Sequence, residues 1–420
     1  MYICVSIMLL LAIISLVIYR DLLCPLFLFY IPWIASIGLL SFSQYDYNPN
    51  SGTYVYLTLG GLVFFIGFLL SNNGMEVSKR YEKSDETYRI RPMSIKVLIS
   101  FETLLALYCL FDFYRIYRKF NVGNIYISIM RPIKLGQASL SSLTVYGLSI
   151  ISLVTICMLL VWFYLDKREK SSIRGWMCIQ LVIGGFSFVS SMTRTGILFN
   201  LLAVFVVLII CLNVTNGKLF WFASLFVIGF LVFFSYFTIL KFPESGLEKT
   251  ELILSNLSVY TSGGIVAFEK FFGSNQELLW GQHTFRIFYV FGNRIFGTPE
   301  VVSLIKEFID IGNNLTTNVY TMYAFYIADF GKVFGLVMQF LVAIGYGVVY
   351  KNMVKKRAVS IFIFAISIYP LIMQFFAEQY FSMLSKWVQC VLIAAVFFET
   401  DIFLVKNNKE LVEGLNNAKK

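Results

Sequence analysis

The sequence predicts an all-α polytopic membrane protein of about eleven transmembrane helices, with one long, partly helical extracytoplasmic loop. Three observations carry that prediction. The 420 residues are 58% hydrophobic and only 14% charged, whereas an ordinary soluble domain carries about a quarter charged residues. Apolar runs long enough to cross hydrocarbon as helices recur along the whole chain. Strict alternation of apolar and polar residues is absent, so the periodicity of a membrane β-barrel is missing. Within lipid every backbone polar group needs an internal partner, which makes the runs helices.

Taken in order, the spans fall near 1–19, 22–41, 53–70, 95–114, 141–165, 176–193, 195–212, 219–240, 332–350, 358–377 and 387–404. The first starts at Met1 with no basic leader and no small-residue cleavage site, so it reads as a retained helix. The division follows: 1–240 as an N-terminal bundle of about eight spans, 241–331 as a large extracytoplasmic loop, and 332–420 as a C-terminal bundle of about three spans with a cytoplasmic tail. Lysine and arginine bias in short connections sets the orientation. K-N-M-V-K-K-R at 351–357 contrasts with no basic residue in 42–52, which puts 71–94, 166–174, 213–218, 351–357 and the C-terminus inside. The net charge of +10 then suits an inner face on anionic lipid, and no loop on that side is large enough for a nucleic-acid-binding domain.

Metal and disulfide chemistry have little support. The seven cysteines all lie in or beside spans, with no C-x-x-C pair, and His283 is the single histidine, so a His/Cys metal centre is not expected. No D-x-D cluster offers a carboxylate site for magnesium. The expected metal and cofactor complement is none.

Arg194 stands out between apolar runs at 176–193 and 195–212. A cation there is costly unless it faces a water-filled cavity or an anion. The segment 115–140 is basic too, through Arg115, Arg118, Lys119, Arg131 and Lys134. Basic residues on the outside run against the topological bias, and an anionic ligand or lipid headgroups would account for them. Residues 241–331 hold amphipathic pieces and His283 beside Arg286 and Arg294; they are expected to form short helices on the outer membrane surface, covering a cavity. After them come Asn313, Asn314, Thr316, Thr317 and Asn318, then Tyr320, Tyr323 and Tyr326 three apart, then Asp329-Phe330-Gly331. Amides and hydroxyls suit sugar hydroxyls, and aromatic rings suit the apolar sugar face; a capped helix with an interfacial aromatic belt explains the same residues. The D-F-G triplet lacks every companion of the kinase motif. Glu102, inside a span, is expected to pair with another polar group of the bundle, while Gln374 and Glu378 could line the cavity.

Several segments point one way. S-S-M-T-R-T-G-I-L, the long outer loop, and N-N-L-T-T-N-V-Y-T-M-Y-A-F-Y-I-A-D-F-G-K-V-F-G resemble the Wzy-type oligosaccharide repeat-unit polymerases, and the order of parts fits nearly the whole chain. That family is described with Arg-x10-Gly spacings in its outer loops. Arg286 and Gly297 have this spacing; Arg131 does not, since Ser142 stands eleven positions on. The resemblance implies a GT-C-like fold in the bacterial cytoplasmic membrane. It implies a donor chain and an acceptor repeat unit, each on undecaprenyl diphosphate, joined at the extracytoplasmic face without a metal. A chain-length regulator and a flippase of the same pathway are implied partners. Arg194, Arg286, His283 and Asp329 are the catalytic candidates. Arg131, Lys134, Arg294, Asn314, Thr317, Tyr320 and Tyr323 are the substrate-binding candidates. An O-antigen ligase uses the same lipid donor and is the nearest alternative. A lipid-linked oligosaccharide flippase is the alternative from another class, although no internal repeat of the kind transporters carry is visible.

Overall fold

A computed structural model describes residues 1–42, 49–72, 86, 88–121, 125–134, 136–190, 193–241, 248–273, 277–297, 302–303, 307–312 and 315–406. The N-terminal part runs through α1 (Tyr2–Tyr19), α2 (Pro25–Leu39), α3 (Ser51–Ser71), strand β1 (Tyr88–Ile90), α4 (Pro92–Phe120), α5 (Ile125–Lys134), α6 (Ser142–Tyr164), α7 (Lys167–Ser190), α8 (Arg194–Cys211) and α9 (Asn216–Lys241). The long connection contains α10 (Lys249–Thr261), α11 (Gly263–Phe272), α12 (Arg286–Phe296) and the hairpin β2 (Ile309–Gly312) with β3 (Leu315–Thr317). The chain then closes with α13 (Met322–Val354), α14 (Ala358–Ile372), α15 (Leu384–Phe398) and β4 (Leu404–Lys406). Among the described residues nine helices are long and apolar enough to cross a membrane, with α2 and α15 as shorter apolar helices. The protein is therefore an all-α polytopic membrane protein.

Helix starts follow from the local sequence. Asn50, Ser141 and Thr193 each accept a hydrogen bond from the backbone N–H three residues on, at 3.1 Å, and so cap α3, α6 and α8. All three caps lie at the end of the bundle that carries the long connection, here termed the loop end. The other, tail end is tied by contacts between distant segments. Strands β1 and β4 pair antiparallel, Tyr164 donates to the Lys356 carbonyl at 2.7 Å, Asn216 donates to the Arg20 carbonyl at 2.6 Å, and Tyr350 donates to Asp21 at 2.9 Å. At the loop end Ser36 donates to the Thr261 carbonyl at 2.6 Å, and Asn50 and Thr53 both reach Glu269. Each tie joins segments that the alternating path of the helices brings to one end.

The core is densest where α3 lies along α13. Gly67 brings its backbone so near that a Cβ would stand 2.8 Å from the Phe340 carbonyl oxygen, the small-residue contact by which membrane helices approach closely. Aromatic rings fill the space beside it: Phe29 stacks on Phe64 at 4.2 Å between centroids, and Tyr323 meets Trp33 at 5.7 Å and Tyr56 at 5.4 Å.

Two features differ from expectation. Helix α13 begins at Met322, not near 332, because the helix resumes across a break at Gly331 (φ 82, ψ 175); the glycine interrupts the rod without starting it. Helix α11 is not a surface helix. It is buried, and at Gly264 a Cβ would meet the Phe375 carbonyl oxygen at 2.9 Å, so G-G-I-V-A-F packs directly onto the turn after α14. Helix α12, by contrast, has no buried residue.

The α3–α13 contact predicts an asymmetry between two glycines of one helix. A Cβ at Gly347 would stand 3.0 Å from the Phe68 carbonyl oxygen, whereas at Gly345 nothing lies within 4 Å. Gly347→Ala is expected to cost about 1–3 kcal/mol and Gly345→Ala to hold or raise stability. Thermal unfolding in detergent measures both, and identical melting of the two variants would contradict this packing.

Candidate functional site

Thr193 caps α8 and so fixes Arg194 in its first turn. The Arg194 residue is 8% exposed. Its guanidinium carbon lies 4.1 Å from the Phe234 ring centroid, 5.2 Å from Tyr260 and 5.7 Å from Phe237. Desolvated cation–π contacts of this kind are each worth up to about 2 kcal/mol. Phe234 and Phe237 come from the last turns of α9 and Tyr260 from the end of α10. Tyr260 in turn stacks on Phe376 (5.4 Å, 20°), in the segment between α14 and α15. Three rings thus gather round the guanidinium, the planar group whose N–H donors match the oxygens of a phosphate or carboxylate. A cation in the first turn also opposes the helix dipole, whose positive end lies there and favours negative charge.

A second cation, Lys386, stands in the first turn of α15. Its ammonium lies 3.4 Å from the ring centroid of Phe199 on α8, and Phe199 meets Tyr369 of α14 edge-on at 5.4 Å. Sequence reasoning did not single out Lys386. The signal that could have found it is the one that found Arg194: a lone cation beside an apolar run.

His283 and Asp329 come together elsewhere, around the head of α13, with Arg286 following on α12. The break at Gly331 releases the carbonyls of Ala328 and Asp329 from the helix. They accept N–H bonds from Leu279 at 2.9 Å and Trp280 at 3.0 Å. The Asp329 carboxylate then accepts the backbone N–H of His283 at 3.1 Å and of Thr284 at 2.6 Å. Asp329, expected as an acid or base, thus uses its oxygens to anchor the 277–285 loop. His283 is 3% exposed and packs edge-on against Phe325 at 5.2 Å, so it lies against α13, not in an open surface loop. Arg286 opens α12 and donates to the Val302 carbonyl. Gly297 ends the same helix in the left-handed conformation (φ 64), so the Arg-x10-Gly spacing here spans one helix from its first residue to its C-terminal glycine. Arg294 is exposed on that helix.

The remaining candidates do not line one cleft. Tyr323 is locked in the aromatic core described above, and Tyr320 is buried, donating to the Glu307 carbonyl at 3.2 Å; both rings fill the protein instead of facing a sugar. Burial pushes the Tyr320 hydroxyl above its ordinary pKa, with Glu307 adding to the effect. Thr317 is buried and accepts the Val319 N–H at 3.0 Å, shaping the turn that leads into α13. Arg131 is exposed on α5, Lys134 ends that helix, and Asn314 lies outside the described residues. Glu102 accepts a hydrogen bond from Gln180 at 2.6 Å, and Gln180 also reaches Thr155 at 3.0 Å, the intrabundle pairing expected of it. Gln374 and Glu378 are buried. Glu378 accepts N–H bonds from Tyr380, Phe381 and Ser382 at 2.7–2.8 Å and so folds the turn into α15. An apolar groove of about 290 Å³ lies beside it, lined by Tyr346, Ser367, Tyr380, Phe381, Leu384 and Trp387. Among the described residues no group of three or more His, Cys, Asp or Glu side chains could hold a metal ion.

A protein of Escherichia coli (strain K12) named "Putative O-antigen polymerase" is 30% identical to this chain over 141 residues. The match covers 34% of this chain and 35% of that protein, so the chain spans about a third of the length of the curated relative it matches. No family model matches the chain, and no solved structure matches it.

The anchoring by Asp329 gives a test. Asp329→Ala is expected to leave the bundle folded while the amides of 279–285 exchange at least about tenfold faster, since each lost bond to a charged acceptor is worth about 1.5–3 kcal/mol. Hydrogen exchange by mass spectrometry reads this directly, and unchanged protection across 279–285 would show that the carboxylate does not hold the loop.

Proposed function

We propose that the protein is a membrane glycosyltransferase that polymerises undecaprenyl-diphosphate-linked oligosaccharide repeat units into O-antigen, capsular polysaccharide or exopolysaccharide. The loop end would face outward from the bacterial cytoplasmic membrane. One observation carries the reading: a buried arginine, surrounded by aromatic rings, stands at the end where the long connection folds into the bundle. The similarity to a protein named as an O-antigen polymerase supports the same role.

In the proposed reaction an acceptor hydroxyl attacks the anomeric carbon of the donor. The bond from that carbon to the diphosphate oxygen breaks, its electron pair leaves with the lipid diphosphate, and the hydroxyl proton passes to a base. Negative charge grows on the leaving diphosphate as the bond lengthens. A guanidinium already oriented by Phe234, Tyr260 and Phe237 stabilises that charge more in the transition state than in the ground state. His283 is the candidate base, because imidazole is the side chain that titrates near neutrality. Asp329 would act through it as a positioning residue, fixing the backbone of 283 and 284. Arg286 and Arg294 on the exposed helix α12 would meet lipid phosphates at the membrane surface.

Gene deletion followed by analysis of lipid-linked sugars tests the reading. Accumulation of single repeat units is expected; full-length polymer left on the lipid would indicate a ligase, and unchanged glycans would remove the reading altogether. Arg194→Ala is expected to lower polymer at least about 100-fold at unchanged protein level. Arg194→Lys should recover only part, since an ammonium lacks both the fork and the stacking plane. Normal chain lengths from a well-expressed Arg194→Ala protein would take this residue out of the mechanism.

A further inference from the structure

Lys386 is costly as it stands. It lies in the first turn of α15, where the helix dipole opposes a cation, and its ammonium sits inside the helix bundle on the ring of Phe199. Among the described residues no acid lies at ion-pair distance from it. An aromatic face supplies part of what an ammonium loses on leaving water, but accepts none of its three hydrogen bonds. A cation placed this way inside a membrane protein is the mark of a site for an anion.

The surroundings tie Lys386 to the Arg194 site. Phe199, the ring beneath Lys386, belongs to α8 and follows Arg194 by five residues, about 8 Å of axial rise. The segment that leads into α15 supplies Phe376, which stacks on Tyr260, a ring of the Arg194 cage. Helix α8 thus carries one cation in its first turn and, about 140° round the helix, the seat of the other in its second. The α14–α15 connection touches the cage through Phe376 and leads into the first turn of α15, which carries Lys386. Both cations belong to first turns at the loop end of the bundle, and both rest on rings.

We propose that Lys386 is a second cation of the Arg194 site and binds a phosphate of a lipid-linked diphosphate. The proposal rests on the lipid-diphosphate reading of that site. A diphosphate carries more than one negative charge, and taking it out of bulk water needs more than one opposing charge. Arginine supplies a planar fork and lysine a compact charge with three rotatable donors, so the two bind phosphate oxygens in different geometries without competing for the same edge.

The test uses the full chain in phosphatidylcholine nanodiscs, with geranylgeranyl diphosphate as probe and geranylgeraniol as the uncharged control. Lysine acylation read by mass spectrometry reports on the unaltered protein. Lys386 is expected to be protected by the diphosphate and not by the alcohol, while Lys355 at the tail end stays unchanged. Equal acylation of Lys386 with and without the diphosphate overturns the proposal. Equal protection by phosphatidylglycerol nanodiscs alone overturns it too, by making Lys386 a seat for ordinary headgroups. Lys386→Gln is expected to weaken probe binding about tenfold, the loss of one charge-assisted bond, and Lys386→Arg to stay within about threefold. Unchanged affinity in a folded Lys386→Gln protein overturns the proposal. If that variant does not fold, the footprint on the unaltered chain decides. The deletion strain separates the two ideas: unchanged glycans with a protected Lys386 remove the polymerase reading and keep the anion site, and the reverse pattern does the opposite.

Discussion

A helix that breaks inside a bilayer exposes carbonyl and N–H groups that hydrocarbon cannot satisfy, and at the loop end α13 breaks at Gly331. In α13 the break at Gly331 releases two carbonyls, and the 277–285 loop closes over them through Leu279 and Trp280. Beyond α14 the chain turns, and Glu378 gathers three backbone N–H groups with one carboxylate. Helix α11 then lays Gly264 against the exposed carbonyl of Phe375. The long connection therefore covers both the break in α13 and the turn that follows α14.

That cover also explains where charge can survive. Cations are expensive in a helix bundle, and here two of them, Arg194 and Lys386, rest on Phe234 and Phe199 at the same end as the breaks. The aromatic residues reduce the desolvation cost of both cations. The two ring-packed cations and the folded-in connection lie at one end, while the tail end is closed by paired strands and an ion pair between Lys406 and Glu86 at 2.8 Å.

Most of the membrane architecture was legible in the sequence because hydrophobic length is a local property. Asn50, Ser141 and Thr193 could be read as caps for the same reason, since the cap bond spans three residues. The interior of the long connection was not legible. Nothing local tells that G-G-I-V-A-F at 263–268 is buried while R-I-F-Y-V-F at 286–291 is not; the difference lies in whether a distant turn offers a backbone to pack against. The same limit governs the tyrosines. Tyr320 and Tyr323 look alike as members of an aromatic belt, yet Tyr323 is consumed by Trp33 and Tyr56 from other helices. Arg194 was visible because its isolation is a feature of one segment, but the rings that hold it and the ring under Lys386 come from other helices, which no single segment shows.

The central claim is that the loop end joins lipid-linked repeat units with Arg194 stabilising the leaving diphosphate. Reconstitution of the purified chain in nanodiscs with lipid-linked repeat units tests it most directly, by following released lipid diphosphate alongside chain length. A ladder of products, with one lipid diphosphate released per bond formed, is the predicted result. An Arg194→Lys enzyme should slow that release at saturating substrate. Single repeat units that persist with no release from a folded, lipid-embedded protein would contradict the account.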